Sequence, residues 1–386
     1  MKKVLISLLV LAVAGGGAFA QGWTFNGMMA GGLGLFFLED GDDDPYMLAM
    51  THDGADTNFR SQMTGRFVNA EDTAGLSFQI RTLGATSGSP GAHFDFAFGW
   101  LNFMDNMVTV YGGRIFVGHF NAFDRMHGWR HQANSQGLLA VLRPMDGLML
   151  GFGAGATGTE FQSLTEDPNP RFSFYARYDD PNGDFSVVLG LQNTNEHDGA
   201  PDYPIIPTRN QASHAYLSFG WTADPEMHLA FTARFHALEE FGDFGLMQYY
   251  VTFGHTGLVD NMDLRLGASV SMSQNDADDD IHLWIWGSVA YELNDRVVPR
   301  LDLHYVMGGT WATSTANIHH WRFRDGATFD SDHSFLQIRP AVQLRATAAS
   351  FLEIGCIFHI DLGDNPTWGA TDGMNIGLYA LMRVVF

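Results

Sequence analysis

Every second residue at the end of the chain is apolar. Counting back from Phe386, every second residue is apolar as far as Ile376. The opposite face of this segment is mixed and carries Arg383, Tyr379 and Asn375. An alternation with a period of two is typical of a β-strand whose two faces meet different surroundings. The segment is long enough to cross a bilayer at a tilt, so we predict a membrane-spanning strand that ends on an aromatic residue.

The same two-faced pattern recurs along the chain and predicts a series of strands. In 297–307, Leu301 and Leu303 lie on one face, whereas Arg300 and Asp302 lie on the other. A charged side chain that faces hydrocarbon in mid-strand costs roughly 2–4 kcal/mol, so the polar faces are predicted to line the lumen of a barrel. We predict strands at 23–37, 57–69, 75–84, 92–103, 108–118, 135–143, 148–157, 171–178, 185–192, 211–222, 227–237, 245–256, 263–273, 281–292, 297–307, 333–346, 351–362 and 373–386.

The connections between these strands alternate between long and short ones. Short connections with turn residues lie at 104–107, 144–147, 180–183, 223–226 and 293–296. Longer ones lie at 38–56, 85–91, 119–134, 158–170, 193–210, 238–244, 274–280, 308–332 and 363–372. This alternation predicts an all-β fold, a transmembrane up-and-down antiparallel β-barrel with short periplasmic turns and long outer loops. The strand number must be even, and we count about eighteen strands, with sixteen as the main competitor.

The beginning of the chain has the features of an export signal. Lys2 and Lys3 form a basic region, and 4–14 is an apolar stretch too short to span a membrane. The sequence Ala18-Phe19-Ala20 then matches a signal-peptidase site. We therefore predict a cleaved signal peptide at 1–20 and a single barrel domain at 21–386; a retained helical anchor is the alternative.

Composition agrees with a membrane barrel and excludes several classes of function. Glycine accounts for 44 of 386 residues, aromatic residues for 13% and charged residues for only 17%, where a soluble domain usually has about 25% charged residues. The formal net charge of −22 argues against nucleic acid as a partner. Cys356 is the only cysteine, which excludes an intramolecular disulfide and a multi-cysteine metal site.

Arginines concentrate on the predicted lumen face and are the candidate pore-lining residues. Their guanidinium groups would guide anionic or hydroxyl-rich solutes. Alternatively, they pair with acidic residues such as Asp302, Glu353, Asp361 and Asp263 and stiffen the wall without selecting a solute. From the alternation of the two faces along each strand (parity), the predicted pore-lining arginines are Arg60, Arg66, Arg81, Arg114, Arg171, Arg177, Arg234, Arg265, Arg300, Arg339, Arg345 and Arg383.

The third long loop, 119–134, is a candidate constriction of the pore. Its basic and aromatic side chains would narrow the channel if the loop folds inward, and it has no such role if it is an ordinary outer loop. The pattern leaves both alternatives open. The candidate constriction residues are Arg125, His127, Trp129, Arg130 and His131.

We predict no enzymatic activity, no cofactor and no metal site. The acidic run at 40–44 lacks the spacing and the terminal glutamate of a calcium loop. The strand histidines are predicted to point into the lumen, whereas a barrel hydrolase needs its catalytic groups at the rim or on the lipid side.

Taken together, the chain resembles the outer-membrane porins of Gram-negative-type envelopes. The resemblance is architectural and rests on the export signal, the alternation of loops, the two-faced strands and Phe386; no particular porin family is matched by motif. It implies an outer-membrane location and passive diffusion of small hydrophilic solutes, with anions or sugars as candidates for transport through an arginine-lined lumen. It also implies contact with outer-membrane lipid, recognition of the last strand by the barrel assembly machinery, and a homotrimer as one arrangement. A surface scaffold whose long loops bind a partner, like an adhesin, is the alternative.

Overall fold

The structure is a computed structural model that describes residues 22–37, 46–50, 60–83, 91–115, 117–120, 122–123, 136–156, 171–192, 214–237, 244–273, 281–307, 334–362 and 374–386. The strands are β1 (Trp23–Phe37), β2 (Tyr46–Met50), β3 (Arg60–Val68), β4 (Ala74–Leu83), β5 (Gly91–Phe103), β6 (Val108–Arg114), β7 (Gln136–Met145), β8 (Leu148–Ala156), β9 (Arg171–Asp179), β10 (Phe185–Gln192), β11 (His214–Trp221), β12 (Met227–Ala237), β13 (Phe244–His255), β14 (Met262–Ser273), β15 (Ile281–Tyr291), β16 (Val297–Met307), β17 (Phe335–Arg345), β18 (Phe351–Asp361) and β19 (Met374–Val385). Among these residues no helix is long and apolar enough to cross a membrane.

The strands form one closed antiparallel sheet. One edge of β1 pairs with β19, from Met28 opposite Val385 to Phe37 opposite Ile376. The other edge of β1 pairs with β3 over 23–30 and with β2 over 32–36. Because β2 and β3 share one position in the wall, the nineteen strands make a barrel of eighteen. This confirms the predicted all-β barrel and the strand number of eighteen rather than sixteen.

The two faces of the wall differ as the alternation predicts. Leu301 and Leu303 of β16 are 39% and 41% exposed, whereas Asp302 and His304 between and beside them are 3% and 4% exposed. Residues directly opposite each other in an antiparallel pair share a face, so the register extends this separation to neighbouring strands. The apolar face is therefore the outer surface of the barrel, and the polar face is its interior.

Aromatic pairs lie on the outer surface close to the short turns. The rings of Trp23 and Phe67 have centroids 5.2 Å apart, and those of Tyr178 and Phe185 are 6.0 Å apart. Aromatic side chains at the two ends of the lipid-facing band are characteristic of transmembrane barrels.

The short turns close hairpins by local side-chain and backbone chemistry. The Asn69 side-chain oxygen accepts hydrogen bonds from the backbone N–H groups of Thr73 and Ala74, at 2.8 and 3.0 Å. Between β7 and β8 the turn narrows to Asp146 and Gly147, and Gly147 has φ of 77°. Asparagine, aspartate and glycine favour such turns because they bond locally to the backbone or tolerate positive φ.

One segment that the sequence predicts as loop is a strand. Residues 46–50 lie within the predicted first long loop, 38–56, but form β2 against the outer half of β1. Their sequence, Tyr-Met-Leu-Ala-Met, is apolar throughout, so no alternation of polar and apolar residues signals a strand.

A second boundary differs at β6, which is shorter than the predicted 108–118 and ends at Arg114. Gly113 has φ of 118°, and a Cβ atom there would lie 2.5 Å from the carbonyl oxygen of Ala97. Because only glycine adopts this conformation easily, the backbone changes direction here and leaves the wall early.

Candidate functional site

The chain turns into the barrel as soon as it leaves β6. Phe120 is 1% exposed, and its ring stacks on Tyr175 of β9 with centroids 5.0 Å apart. The hydroxyl of Tyr216 in β11 donates a hydrogen bond to the carbonyl oxygen of Phe120. Tyr175 and Tyr216 both lie opposite Gly190 and therefore share one face of the wall. This is the inner face, because Leu217, the residue next to Tyr216, is 44% exposed on the outer face. The described residues 117–120 and 122–123, which we name the inward segment, therefore lie against the inner wall.

A second set of contacts attaches the end of the inward segment. The backbone N–H of Phe123 donates to Ser218 Oγ at 2.8 Å. The guanidinium carbon of Arg177 lies 5.4 Å from the centre of the Phe123 ring, within the range of a cation–π contact. Arg177 also donates to the carbonyl oxygen of His119 at 3.0 Å and pairs with Asp179 at 2.8 Å. Arg177 thus binds the inward segment at two points.

His119 joins the inward segment to β6. A hydrogen bond of 2.9 Å connects Tyr111 Oη and His119 Nε2. Burial of the imidazole, and next the positive charges of Arg143 and Arg177, lower the pKa of His119 to about 4. Desolvation and nearby cations both disfavour the charged imidazolium, so His119 is neutral at neutral pH.

These contacts decide between the two alternatives for the third long loop where the structure describes it. His119, Phe120, Ala122 and Phe123 lie inside the barrel, and the rest of 119–134 lies outside the described residues. The candidate constriction residues Arg125, His127, Trp129, Arg130 and His131 all belong to that undescribed remainder.

The ladder register places most of the predicted pore-lining arginines on the inner face. Arg60 and Arg171 lie in β3 and β9, but their side chains are outside the described part of the chain. The described arginines whose register places them on the inner face are Arg66, Arg81, Arg177, Arg234, Arg265, Arg300, Arg339, Arg345 and Arg383.

Arg114 does not follow the parity prediction. It lies opposite Ala97, and the inward-facing Trp100 lies opposite Tyr111. Ala97 and Trp100 are three residues apart in β5 and therefore lie on opposite faces. Arg114 is therefore on the outer face, where its Nη1 donates to the carbonyl oxygen of Phe94 at 3.0 Å. The face predicted for Arg114 was wrong: Arg114 shares the face of Val108 and Val110, whereas Thr109 and Tyr111 lie on the inner face of β6.

Several inner arginines are committed to ion pairs within the wall. Asp302 accepts from Arg300 and Arg339 at 2.9 and 2.8 Å, and both Asp302 and Arg339 are nearly fully buried. Similar pairs join Arg345 to Glu292 and Arg265 to Asp263. Arg234 is also buried, at 2% exposure, over the ring of Tyr250. These guanidinium groups are packed or neutralised rather than displayed to a solute.

The acid Glu353 on the inner face is held by neutral donors in the described part of the wall. Gln343 Nε2 donates to one carboxylate oxygen at 2.7 Å, and Tyr379 Oη donates to the other at 2.9 Å.

Across the described residues, no group of three or more histidine, cysteine, aspartate or glutamate side chains is placed to hold a metal ion.

Arg66 and Arg143 are inner arginines for which the described residues show no carboxylate partner. Arg66 lies over the ring of Trp100, with its guanidinium carbon 5.2 Å from the ring centre. Arg143 donates to Thr109 Oγ1 at 2.9 Å and to the carbonyl oxygen of Asn106 at 3.2 Å. Both residues lie near the short-turn end of the barrel and keep their positive charge available there.

Arg143 was not among the pore-lining arginines predicted from the sequence. Leu139 and Val141 precede it on the same face of β7 and are buried, whereas Leu138 on the opposite face is 62% exposed. Because both faces of β7 are apolar, only the register shows that Arg143 points inward. The signal available in the sequence is its spacing of two from Val141.

The fold is a closed antiparallel barrel of eighteen strands, and the comparisons with known proteins agree. No protein-family model matches the chain, and a search of curated proteins finds no match. In fold the chain is similar to solved structures of outer-membrane porins. Acinetobacter baumannii OccAB4 has 8% sequence identity and a TM-score of 0.54, with 95% of this chain and 99% of that chain covered.

Two further solved structures are similar to the same extent. Pseudomonas aeruginosa OccK2, in complex with glucuronate, has 9% identity and a TM-score of 0.54, covering 94% of this chain and 98% of its own. Acinetobacter baumannii OccAB3 has 9% identity and a TM-score of 0.53, with coverages of 95% and 100%. At these identities the likeness concerns the fold alone.

Proposed function

We propose that this protein is an outer-membrane porin, a passive diffusion channel for small hydrophilic solutes. The observation that carries the proposal is the inward segment, which is bonded to the inner face of a polar-walled barrel by Tyr175, Tyr216 and Ser218. A segment fixed inside the lumen narrows it without adding catalytic chemistry. Pore diameter and the groups that line it are what determine passage through such a channel.

The outer surface supports a location in the outer membrane. Apolar side chains face outward along the strands, and aromatic pairs lie beside the short turns. We further propose that the chain is exported by the signal at 1–20, that the barrel assembly machinery reads the strand ending in Phe386, and that homotrimers form in the membrane.

For selectivity, we propose that Arg66 and Arg143 attract anionic or hydroxyl-rich solutes. Their charges are not neutralised by a described carboxylate, and Trp100 and Tyr111 beside them offer aromatic surface. The paired arginines Arg300, Arg339, Arg345 and Arg265 contribute less, because an ion pair has no net charge at a distance.

The test is single-channel recording of the refolded chain from Gln21 in a planar bilayer under a salt gradient. We expect stable conductance steps and a reversal potential on the anion-selective side. Arg66→Ala combined with Arg143→Ala should shift that potential toward cation selectivity, since two positive charges leave the lumen.

Arg114→Ala is the control for each single substitution because it removes one positive charge from the outer face. Folded protein that forms no channel would contradict the porin assignment. A double variant with the potential of the control would instead remove these two arginines from selectivity.

A further inference from the structure

The two aromatic rings of the inward segment each lie on a glycine of the inner wall. A Cβ atom at Gly151 in β8 would lie 2.6 and 2.8 Å from two carbons of the Phe120 ring. A Cβ atom at Gly220 in β11 would lie 2.9 and 3.1 Å from two carbons of the Phe123 ring. Carbon atoms in contact prefer about 3.5–4.0 Å, so any side chain at these positions would push the ring away from the wall.

Backbone conformation does not require glycine at either position. The glycines with positive φ in the described residues are Gly22, Gly113, Gly147 and Gly183. Gly151 and Gly220 lie in regular ladder positions, opposite Tyr175 and Ala230 respectively. An inward position in a strand ordinarily carries a side chain, and glycine in mid-strand often marks a site of close approach. Here the approaching groups are Phe120 and Phe123.

The surrounding contacts hold each ring against its glycine. Tyr175 stacks on Phe120, and Arg177 covers Phe123 while binding the carbonyl oxygen of His119. The depth of each ring is thus set by the glycine beneath it, and the depth of the rings sets how far the inward segment stands out from the wall.

We propose that Gly151 and Gly220 are size-determining residues of the channel, acting as sockets that seat Phe120 and Phe123 flat against the inner wall. The inference rests on the proposed porin function. A methyl group at either glycine moves the ring, and the inward segment with it, by about 1 Å toward the axis. A narrower lumen then lowers conductance and excludes the larger solutes.

The experiment measures single-channel conductance of Gly151→Ala, Gly220→Ala and the double variant. Gly254→Ala is the matched control: it lies on the inner face of β13, and the nearest atom to its Cβ would be the Leu264 carbonyl oxygen at 3.7 Å. We expect each socket variant to lower conductance by about 1.2-fold or more, with the double variant lower still and the control unchanged.

A double-mutant cycle separates a ring socket from ordinary strand packing. In a Phe123→Ala background the ring is absent and only the Cβ atom of residue 123 remains near the added methyl group, at 3.2 Å. Gly220→Ala should then have a much smaller effect on conductance and on the urea midpoint of unfolding. The same loss in both backgrounds would overturn the socket role and leave Gly220 a strand-packing residue.

Failure of this inference is distinguishable from failure of the proposed function. Wild-type protein that conducts, with socket variants equal to Gly254→Ala, overturns the size-determining role alone. Folded wild-type protein that does not conduct overturns the porin assignment, and the size-determining role with it.

Discussion

Asp302 illustrates how the interior of this barrel accommodates charge. Its carboxylate lies between Arg300 and Arg339 on adjacent strands, and it is only 3% exposed. Removing one member of a buried ion pair leaves the other charge buried without compensation, which is more costly than replacing both by apolar groups. The pair therefore links β16 and β17 as long as both partners remain.

We expect Arg339→Leu to lower the free energy of unfolding by about 3 kcal/mol, the lower end of the range for a broken buried pair, because Arg300 remains beside Asp302. The combined variant Arg339→Leu, Asp302→Leu should be more stable than Arg339→Leu alone. Urea unfolding in lipid vesicles measures both.

Arg345→Ala serves as the control for this series. Its partner Glu292 is 52% exposed, and solvent-exposed pairs contribute at most about 1 kcal/mol. A loss for Arg339→Leu no larger than that of Arg345→Ala would show that Asp302 finds adequate solvation without Arg339.

At the scale of elements, the inward segment contains a group that makes its docking depend on pH. His119 is neutral while the inward segment is docked on the inner wall, and the groups that face it there are Tyr111, Arg143 and Arg177. Released into water, the imidazole returns toward its ordinary pKa of 6.5. Between about 4 and 6.5 the released state binds more protons than the docked state, so docking weakens as pH falls through that window.

We therefore expect current fluctuations of the open channel to increase as pH is lowered from 7.5 toward 4.5, because the inward segment leaves the wall more often. His119→Gln keeps a hydrogen-bonding group for Tyr111 but does not titrate, so its channel should be less dependent on pH. Identical pH profiles for the two proteins would assign the fluctuations to another group.

At the scale of the whole molecule, the arginines of the inner face and the acidic residues of the described short turns carry opposite charges. The described short turns include the exposed residues Asp72, Asp105, Asp146 and Asp224, and the half-buried Asp180. Exposed charges act through solvent and are screened beyond about 8–10 Å at physiological salt. Arg66 at the same end is exposed as well, so salt screens the arginine and the acids alike, and the reversal potential should approach zero as the salt concentration rises.

The predicted processing can be tested on the protein isolated from membranes. We expect it in the outer-membrane fraction, with Gln21 as its first residue and a circular-dichroism spectrum dominated by β-structure. A retained Met1 would favour the anchor alternative, and a helical spectrum would contradict the barrel.

The strands and turns were predictable because their causes are local. Alternation such as Leu301, Asp302, Leu303 has the period of a strand, and Asn69 or Gly147 closes a hairpin with atoms a few residues away. β2 escaped prediction because its five residues are all apolar, and the end of β6 depended on one glycine conformation at Gly113.

The candidate site was predictable only in part. The alternation of faces located Arg66 and Arg177 on the inner face. The prediction misplaced Arg114, which shares the outer face of β6 with Val110, and it missed Arg143 because β7 is apolar on both faces. Sequence also gave no means to separate Arg339, which is paired and buried, from Arg66, which has no described carboxylate partner.

By itself, then, the sequence determined the class of fold, the approximate strands and the residue types on each face, since period-two alternation and turn chemistry act over a few residues. The tertiary structure alone decided that 117–120 and 122–123 lie inside the barrel and which described arginines have no carboxylate partner. Those outcomes depend on contacts such as Phe120 with Tyr216 and Arg339 with Asp302, which are far apart in the chain and meet only when the register closes the barrel.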